Sequence, residues 1–324
     1  MLIQVALPVP IDSVFDYRVV GDALPAIGCR VRVPFGARKL VGIVVAHIEH
    51  SQLTQNAIKP VLDILDELPI VDEALLKAAN AIQEGKMDLA QLYYIKGFEL
   101  QPTNIELLQK MAELYVHLEK YELAEVSFKL ILKQQPNNIK VQEEYGLLLL
   151  KERKYQEAKT SLGAVVSKQL SGSAYNGLGI IATVQGNLIE AEALFKKADR
   201  IVPNNPEILN NLGFALYSAE KYPEAMAYYN LALQIAPGFK KALYNYALLQ
   251  GRLGNYDLAY DAFVKVSSEA EANNNLGYIA MMKGDYVKAN EYLQEAIKFS
   301  PNYYKKANDN LKHLKDLENN KIFN

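Results

Sequence analysis

An alanine returns along most of this chain at a nearly fixed distance, and that regularity restricts the fold more than any other feature. It stands at Ala90, Ala124, Ala158, Ala191, Ala225, Ala259 and Ala289, at intervals of 34, 34, 33, 34, 34 and 30. Twelve residues before each lies a small residue: Ala78, Ala112, Gly146, Gly179, Gly213, Ala247 and Gly277. Four residues after each lies a large apolar one: Tyr94, Phe128, Leu162, Phe195, Tyr229, Phe263 and Leu293. A self-similar period of this length means a stack of supersecondary units, each too small to bury its apolar face alone.

The registers have a physical reading. Small residues let two antiparallel helices approach closely, and the Tyr, Phe or Leu positions are expected to fill the space between neighbouring hairpins. Pro102, Pro136, Pro203, Pro237 and Pro301 fall twelve residues after the alanine, where a helix should stop. The asparagines in Pro136-Asn137-Asn138 and Pro203-Asn204-Asn205-Pro206 are placed to cap the next helix, with Pro206 in its first turn. These columns resemble the tetratricopeptide repeat family over residues 72 to 304, in seven copies, none with that family's early tryptophan. The predicted fold is therefore mainly α: a TPR α-solenoid of about seven helix-turn-helix repeats over 72–302, with a capping helix and tail over 303–324. Lys305, Lys306, Lys312 and Lys315 would lie on the cap's solvated face. The shortened last interval and the capping box in Ser268-Glu269-Ala270-Glu271 predict a local break before the final repeat. The stretch from Asn273-Asn274-Asn275 to Pro301-Asn302 also resembles pilus-assembly TPR proteins of the TadD type.

The TPR resemblance implies a concave face, lined by the first helix of each pair, that takes a protein or peptide partner. Asn211, Asn245 and Asn275 share one column, fourteen residues before the alanine. An amide offers donor and acceptor together and can pair with an extended peptide backbone. Phe214, Tyr217 and Tyr278 lie on the same face and supply apolar contact. The competing reading is that these asparagines tie neighbouring helices together. The lysine-asparagine carboxylate clamp of chaperone-binding TPR proteins is not recognisable.

Before residue 72 the period changes. Leu2–Val9, Phe15–Val19, Cys29–Phe35 and Leu40–Ile48 alternate or run apolar between Pro, Gly and Asp, which predicts a small β-rich domain over 1–71. Residues 1–60 hold six Lys/Arg against four Asp/Glu in a chain whose net charge is −2. Arg30, Arg32, Arg38 and Lys39 form a basic patch with no acid between Gly28 and Ile48. Phe15-Asp16-Tyr17, Gly28 to Gly36 and Lys59-Pro60-Val61-Leu62 resemble the start of the primosomal helicase protein N′ (PriA) family. That resemblance implies a β domain that binds the 3′ end of a DNA strand, with Phe15, Asp16, Tyr17, Gly36 and Lys59 at the terminal nucleotide. In this reading Lys59, Arg30 and Arg32 would neutralise phosphates, Phe15 or Tyr17 would stack a base, and Asp16 would accept from a 3′ hydroxyl. The bland alternative is a turn-capping aspartate and surface arginines.

The helicase family's phosphate-binding loop, ATPase motifs and cysteine-rich zinc region are missing, so no enzymatic activity is expected, and no catalytic residue, metal or cofactor is assigned. A natural fusion, an engineered join or a frame error would all produce this junction. Cys29 is the single cysteine, which agrees with a reducing compartment. Ala26-Ile27-Gly28-Cys29 resembles a lipidation box, but Asp12, Asp16, Arg18 and Asp22 interrupt the apolar run that a signal needs. No apolar stretch approaches the ~18 residues of a membrane span, so a cytoplasmic protein without membrane insertion is expected. Gly177-Leu178-Gly179-Ile180-Ile181-Ala182 fits a dinucleotide fingerprint, yet no strand precedes it and the repeat already requires Gly179. His47 and His50 lack a third ligand in sequence. Three functions remain: a non-enzymatic binding protein that joins a DNA 3′ end to a protein partner, an adaptor in pilus or secretion-system assembly with no DNA role, or an enzyme subunit whose catalysis lies in its partner.

Overall fold

The computed structural model describes residues 1–9, 13–21, 23–54, 56–66, 73–300 and 304–322. Its backbone groups into two compact units, 1–141 and 142–324. The expected domain boundary at 71/72 and Pro301 lie outside the described residues.

The first unit opens with a six-stranded sheet: β1 (Leu2–Ala6), β2 (Val14–Arg18), β3 (Arg30–Phe35), β4 (Arg38–Ile48), β5 (Lys59–Pro60) and β6 (Asp63–Ile64). The order is β5-β2-β1-β4-β3-β6. Alternation puts Ile3, Val5, Tyr17, Val31, Val33 and Val44 on the buried face. β3 and β4 join through a two-residue turn in which Gly36 has φ +58, a left-handed conformation that costs glycine least.

Two strands separate β2 from β3 in the sheet, yet the two touch. The Phe15 and Phe35 rings meet edge to face at 5.1 Å, and the Tyr17 hydroxyl donates to the Pro34 carbonyl at 3.1 Å. The segment 59–65 closes the gap. β5 runs parallel to β2, β6 runs antiparallel to β3, and between them Val61 N–H donates to Arg18 O and Leu62 N–H to Arg32 O. The sheet thus rolls up, its last segment bonded to both. The four longer strands match expectation; β5 and β6 are too short to carry a periodic signal.

The rest is helical. In the first unit α1 (Glu73–Gln83) packs on α2 (Met87–Leu100), and α3 (Ile105–His117) on α4 (Tyr121–Gln134). α5 (Ile139–Lys151) and α6 (Tyr155–Val166) follow, then the pairs α7 (Gly172–Val184) with α8 (Leu188–Ile201), α9 (Pro206–Ser218) with α10 (Tyr222–Ile235), α11 (Lys240–Leu253) with α12 (Tyr256–Phe263) and α13 (Glu269–Met282) with α14 (Tyr286–Lys298). This is the tetratricopeptide repeat architecture, seven hairpins among the described residues. All seven recurrent alanines are fully buried. A Cβ placed on Gly146, Gly179, Gly213 or Gly277 would come within 2.7 Å of Leu162, Phe195, Tyr229 or Leu293. The small position exists to admit the large residue of its own hairpin. Gly179 lies mid-helix in α7 under the Phe195 ring, which accounts for the fingerprint without a nucleotide.

Caps follow the sequence. Asn104, Asn138, Ser171 and Asn205 accept from backbone N–H groups of the helices they precede, and Pro206 opens α9. The Ser268/Glu271 capping box is formed, and the residues missing from the short interval come out of α12, which has 8 residues where the other second helices have 12 to 14. α15 (Lys305–Ile322) buries Ala307, Leu311 and Leu314 and exposes Lys305, Lys306, Lys312 and Lys315.

Candidate functional site

At the β unit, the DNA-contact residues read from sequence separate into three groups. The first is structural. Tyr17 is 4% exposed, and its ring packs with Ile3, Val5 and Val33, so it offers no face to a base. Its sequence-based stacking role is thereby corrected: the position is core, and burial raises its hydroxyl pKa.

The second group is neutralised. Asp66 takes the Arg30 guanidinium in a fork, Nη2 at 2.8 Å and Nε at 3.1 Å, and also accepts from the Arg30 backbone N–H at 2.7 Å. The Arg30 hydrogen bonds hold the Asp66 carboxyl below the usual carboxylate range. Arg32 pairs with Asp63 at 2.8 Å. The basic patch is therefore weaker than the sequence implied, because β6 brings two acids alongside β3. The acids lie 36 and 31 residues downstream of their partners, so no local inspection of Gly28 to Ile48 reveals them.

The third group remains available. Phe15 is half-buried against Phe35. Gly36 is exposed, with nothing within 4 Å of where a Cβ would stand, so a ligand backbone can approach the turn. Lys59 is exposed and sits opposite Tyr17 in the β2/β5 pairing. Arg18, Arg38 and Lys39 are exposed too, and with Lys59 they make no ion pair among the described residues. Asp16 is half-buried; one oxygen accepts from Gln4 Nε2 at 3.1 Å and the other from the Ser51 hydroxyl. These donors fix the carboxylate and leave lone pairs open to a further donor. Gln4 and Ser51 escaped the sequence reading; Gln4, directly opposite Asp16 across β1/β2, becomes visible once that register is known. His47 Nε2 lies 2.8 Å from the Pro25 carbonyl, and Cys29 is buried.

In the second unit the asparagine column is real, and its chemistry differs from the expectation. Asn211 Nδ2 donates to Asn176 Oδ1 of α7 at 3.1 Å, and Asn245 Nδ2 donates to Asn210 Oδ1 of α9 at 2.8 Å. Asn310 of α15 donates to Asn274 of α13 at 3.0 Å. Each rung ties one first helix to the next, as the competing reading held. A full bidentate clamp by every asparagine is thereby corrected: Asn211 has both ends engaged, its oxygen accepting from Asn210 at 3.3 Å. Asn245 keeps its carbonyl oxygen, and Asn275 has no side-chain hydrogen bond among the described residues. The sequence reading missed Asn176, Asn210 and Asn274, one position before the column, although the pairs 210–211 and 274–275 carried the signal.

The same residues border a groove. Asn210, Asn211, Phe214, Tyr244, Asn245 and the α11 lysines line a cavity of about 540 Å³. A second, of about 550 Å³, lies among α5, α7 and α9 and shares Lys241 with the first. Phe214 is 40% exposed and stacks on Tyr217, which is half-buried against Tyr222. Tyr278 is 48% exposed on α13 and lines neither cavity.

Both modules have counterparts among known proteins. Residues 4–88 match the family model of the 3′DNA-binding domain (3′BD), and residues 105–138, 170–238 and 270–303 match tetratricopeptide repeat models. The chain is a two-module protein: a β domain of the 3′DNA-binding type followed by tetratricopeptide repeats. It is 38% identical over 92 residues to Replication restart protein PriA of Haemophilus influenzae, covering 27% of this chain and 13% of that one. The Bacillus subtilis protein of that name is 43% identical over 68 residues, 20% of this chain and 8% of that one. The Peroxisomal targeting signal receptor of Saccharomyces cerevisiae is 31% identical over 98 residues, 30% of this chain and 16% of the receptor. The matches thus span less than a fifth of each relative's length. A tetratricopeptide repeat protein of Parabacteroides merdae superposes with TM-score 0.58 at 16% identity over 75% of this chain and 97% of that structure, a likeness of fold. No described helix is long and apolar enough to cross a membrane.

Proposed function

We propose that this is a non-enzymatic, cytoplasmic binding protein that holds the 3′ end of a DNA strand at its β unit and a protein or peptide segment in the groove of its second unit. The observation that carries the DNA half is the match of residues 4–88, in which Asp16 stands oriented between Gln4 and Ser51. A carboxylate accepts from a terminal 3′ hydroxyl and repels a terminal phosphate. Phe15 supplies a ring for the last base, Gly36 leaves room for the sugar-phosphate, and Lys59, with Arg18, Arg38 and Lys39, supplies phosphate contacts. Tyr17 supports the site from beneath, and Arg30 and Arg32 belong to its scaffold. The domain limits that accompany this reading are 1–71, 72–302 and 303–324.

The test is fluorescence anisotropy with single strands and forks ending in 3′-OH or 3′-phosphate. Binding should favour 3′-OH, and Asp16→Asn, which keeps the shape and removes the charge, should erase most of that preference. Absence of binding, or indifference to the end group, leaves the adaptor without a DNA role as the better description.

A further inference from the structure

The groove of the second unit is cationic, and we infer that its occupant is an acidic, extended peptide segment carrying an apolar or aromatic side chain beside its carboxylates. This rests on the reading that the groove takes a peptide. The two cavities meet at Lys241. Together they are lined by four cations, Lys151, Arg153, Lys240 and Lys241, against a single carboxylate, Glu207. Glu207 is matched by Lys241 at 3.5 Å, so it does not offset Arg153 or Lys240. Arg153 and Lys240 make no ion pair among the described residues and stand exposed.

The excess contrasts with the whole chain, which carries −2, and with neighbouring stretches of the repeats where lysine is matched by glutamate, as Lys196 and Lys221 both are by Glu192. Field lines from like charges along a groove with apolar walls concentrate there and select the opposite sign. Phe214 and Tyr244, 40% and 38% exposed, line the first cavity beside Lys240 and Lys241, which fits one apolar side chain among acids. Asn245 Oδ1 is left to accept a backbone N–H, which an extended peptide offers. A nucleic-acid strand also carries negative charge and stacks on rings, and it is the rival occupant.

Selection from a random 12-residue peptide display library against the full chain, followed by anisotropy on the enriched peptides, separates these cases. The expected result is enrichment in Asp and Glu next to Phe, Leu or Tyr, with affinity falling as salt rises. Lys240→Gln with Lys241→Gln should weaken the enriched peptides by about tenfold or more, with the thermal transition unchanged. Enriched peptides that are neutral or basic, yet lose affinity on Phe214→Ala, overturn the charge inference and keep the groove. If no enriched peptide responds to Phe214→Ala or the lysine pair, the groove reading itself falls. A 20-nucleotide oligothymidine that binds with equal dependence on Lys240 and Lys241 and displaces the peptides assigns the groove to nucleic acid and overturns the inference.

Discussion

Two residue-level details set energies within the repeats. Tyr229 fills the large-residue position under Gly213 and is fully buried, and its hydroxyl has no partner in its pocket. Burial pushes that hydroxyl far above its ordinary pKa. Phenylalanine occupies the equivalent place at 128, 195 and 263. Tyr229→Phe is therefore expected to stabilise by about 1 kcal/mol, since an unsatisfied buried hydroxyl costs about 1–3 kcal/mol. A rise of roughly 2–4 °C in thermal midpoint would follow; a fall would mean the hydroxyl is satisfied after all. The second detail is the turn inside each hairpin, which places a left-handed residue at 85, 119, 153, 186, 220, 254 and 284. Four are glycine; Glu119, Arg153 and Glu220 adopt the same conformation at a cost of roughly 1–2 kcal/mol each. That a small and a large position recur was legible in the sequence because both keep the period; that each large residue fits under the small residue of its own hairpin, instead of between hairpins, was not. The fate of a hydroxyl was not, because it depends on whether a partner lies within 3 Å in a pocket assembled from several helices.

Among the elements, the segment 59–66 does most to shape the β unit. It bonds to β2 and β3 at once, and Asp63 and Asp66 anchor it to Arg32 and Arg30. Asp66 has its carboxyl pKa lowered in the fold by Arg30, so its contribution is complete above the unfolded carboxylate pKa of about 3.9 and lost as pH falls through the folded value. Asp66→Asn should therefore lower stability at pH 6 and change it little well below pH 3. Thermal unfolding of both proteins across that range, followed by the amide exchange of β3, measures it. A difference that persists undiminished in acid would contradict the ion-pair account. The four long strands announce themselves by alternation, whereas two-residue strands have no period to read. Helix ends were legible wherever Asn, Ser or Pro mark them, as at Asn205-Pro206 and Ser268. The asparagine rungs were half legible: the column was visible, but its bonds run to a residue 35 positions earlier and appear only once the helices are stacked.

For the molecule as a whole, charge decides how DNA could be held. A net charge of −2 gives no general attraction to a polyanion, so affinity must come from a few local cations. Arg18, Arg38, Lys39 and Lys59 are the exposed, unpaired set in the described β unit. Four phosphate contacts on a single strand give a slope of about −3 in log affinity against log salt. Lys59→Gln should reduce its magnitude by about 0.7, whereas Arg32→Gln, already paired with Asp63, should leave it nearly unchanged. A titration from low to moderate salt reads both, and an equal effect from Arg32 would mean the ion pair opens for DNA. That modules of two kinds follow one another was legible from the change of period, since strand and helix patterns differ in kind.

The rolled sheet also has a kinetic meaning. β5 at residues 59–60 pairs with β2 at 17–18, and β6 at 63–64 pairs with β3 at 31–32, so the last bonds of the β unit await a long excursion of chain. Within each helical hairpin, by contrast, the packed positions lie sixteen residues apart, as Gly213 and Tyr229 do. Loop-closure entropy slows non-local pairing, while helices and their immediate contacts form rapidly. The module that leads the sequence is therefore the slower to complete its structure, and it stays open along the β2–β3 seam until residues 59–66 arrive. Proteolysis during refolding would find that seam before it finds the repeats.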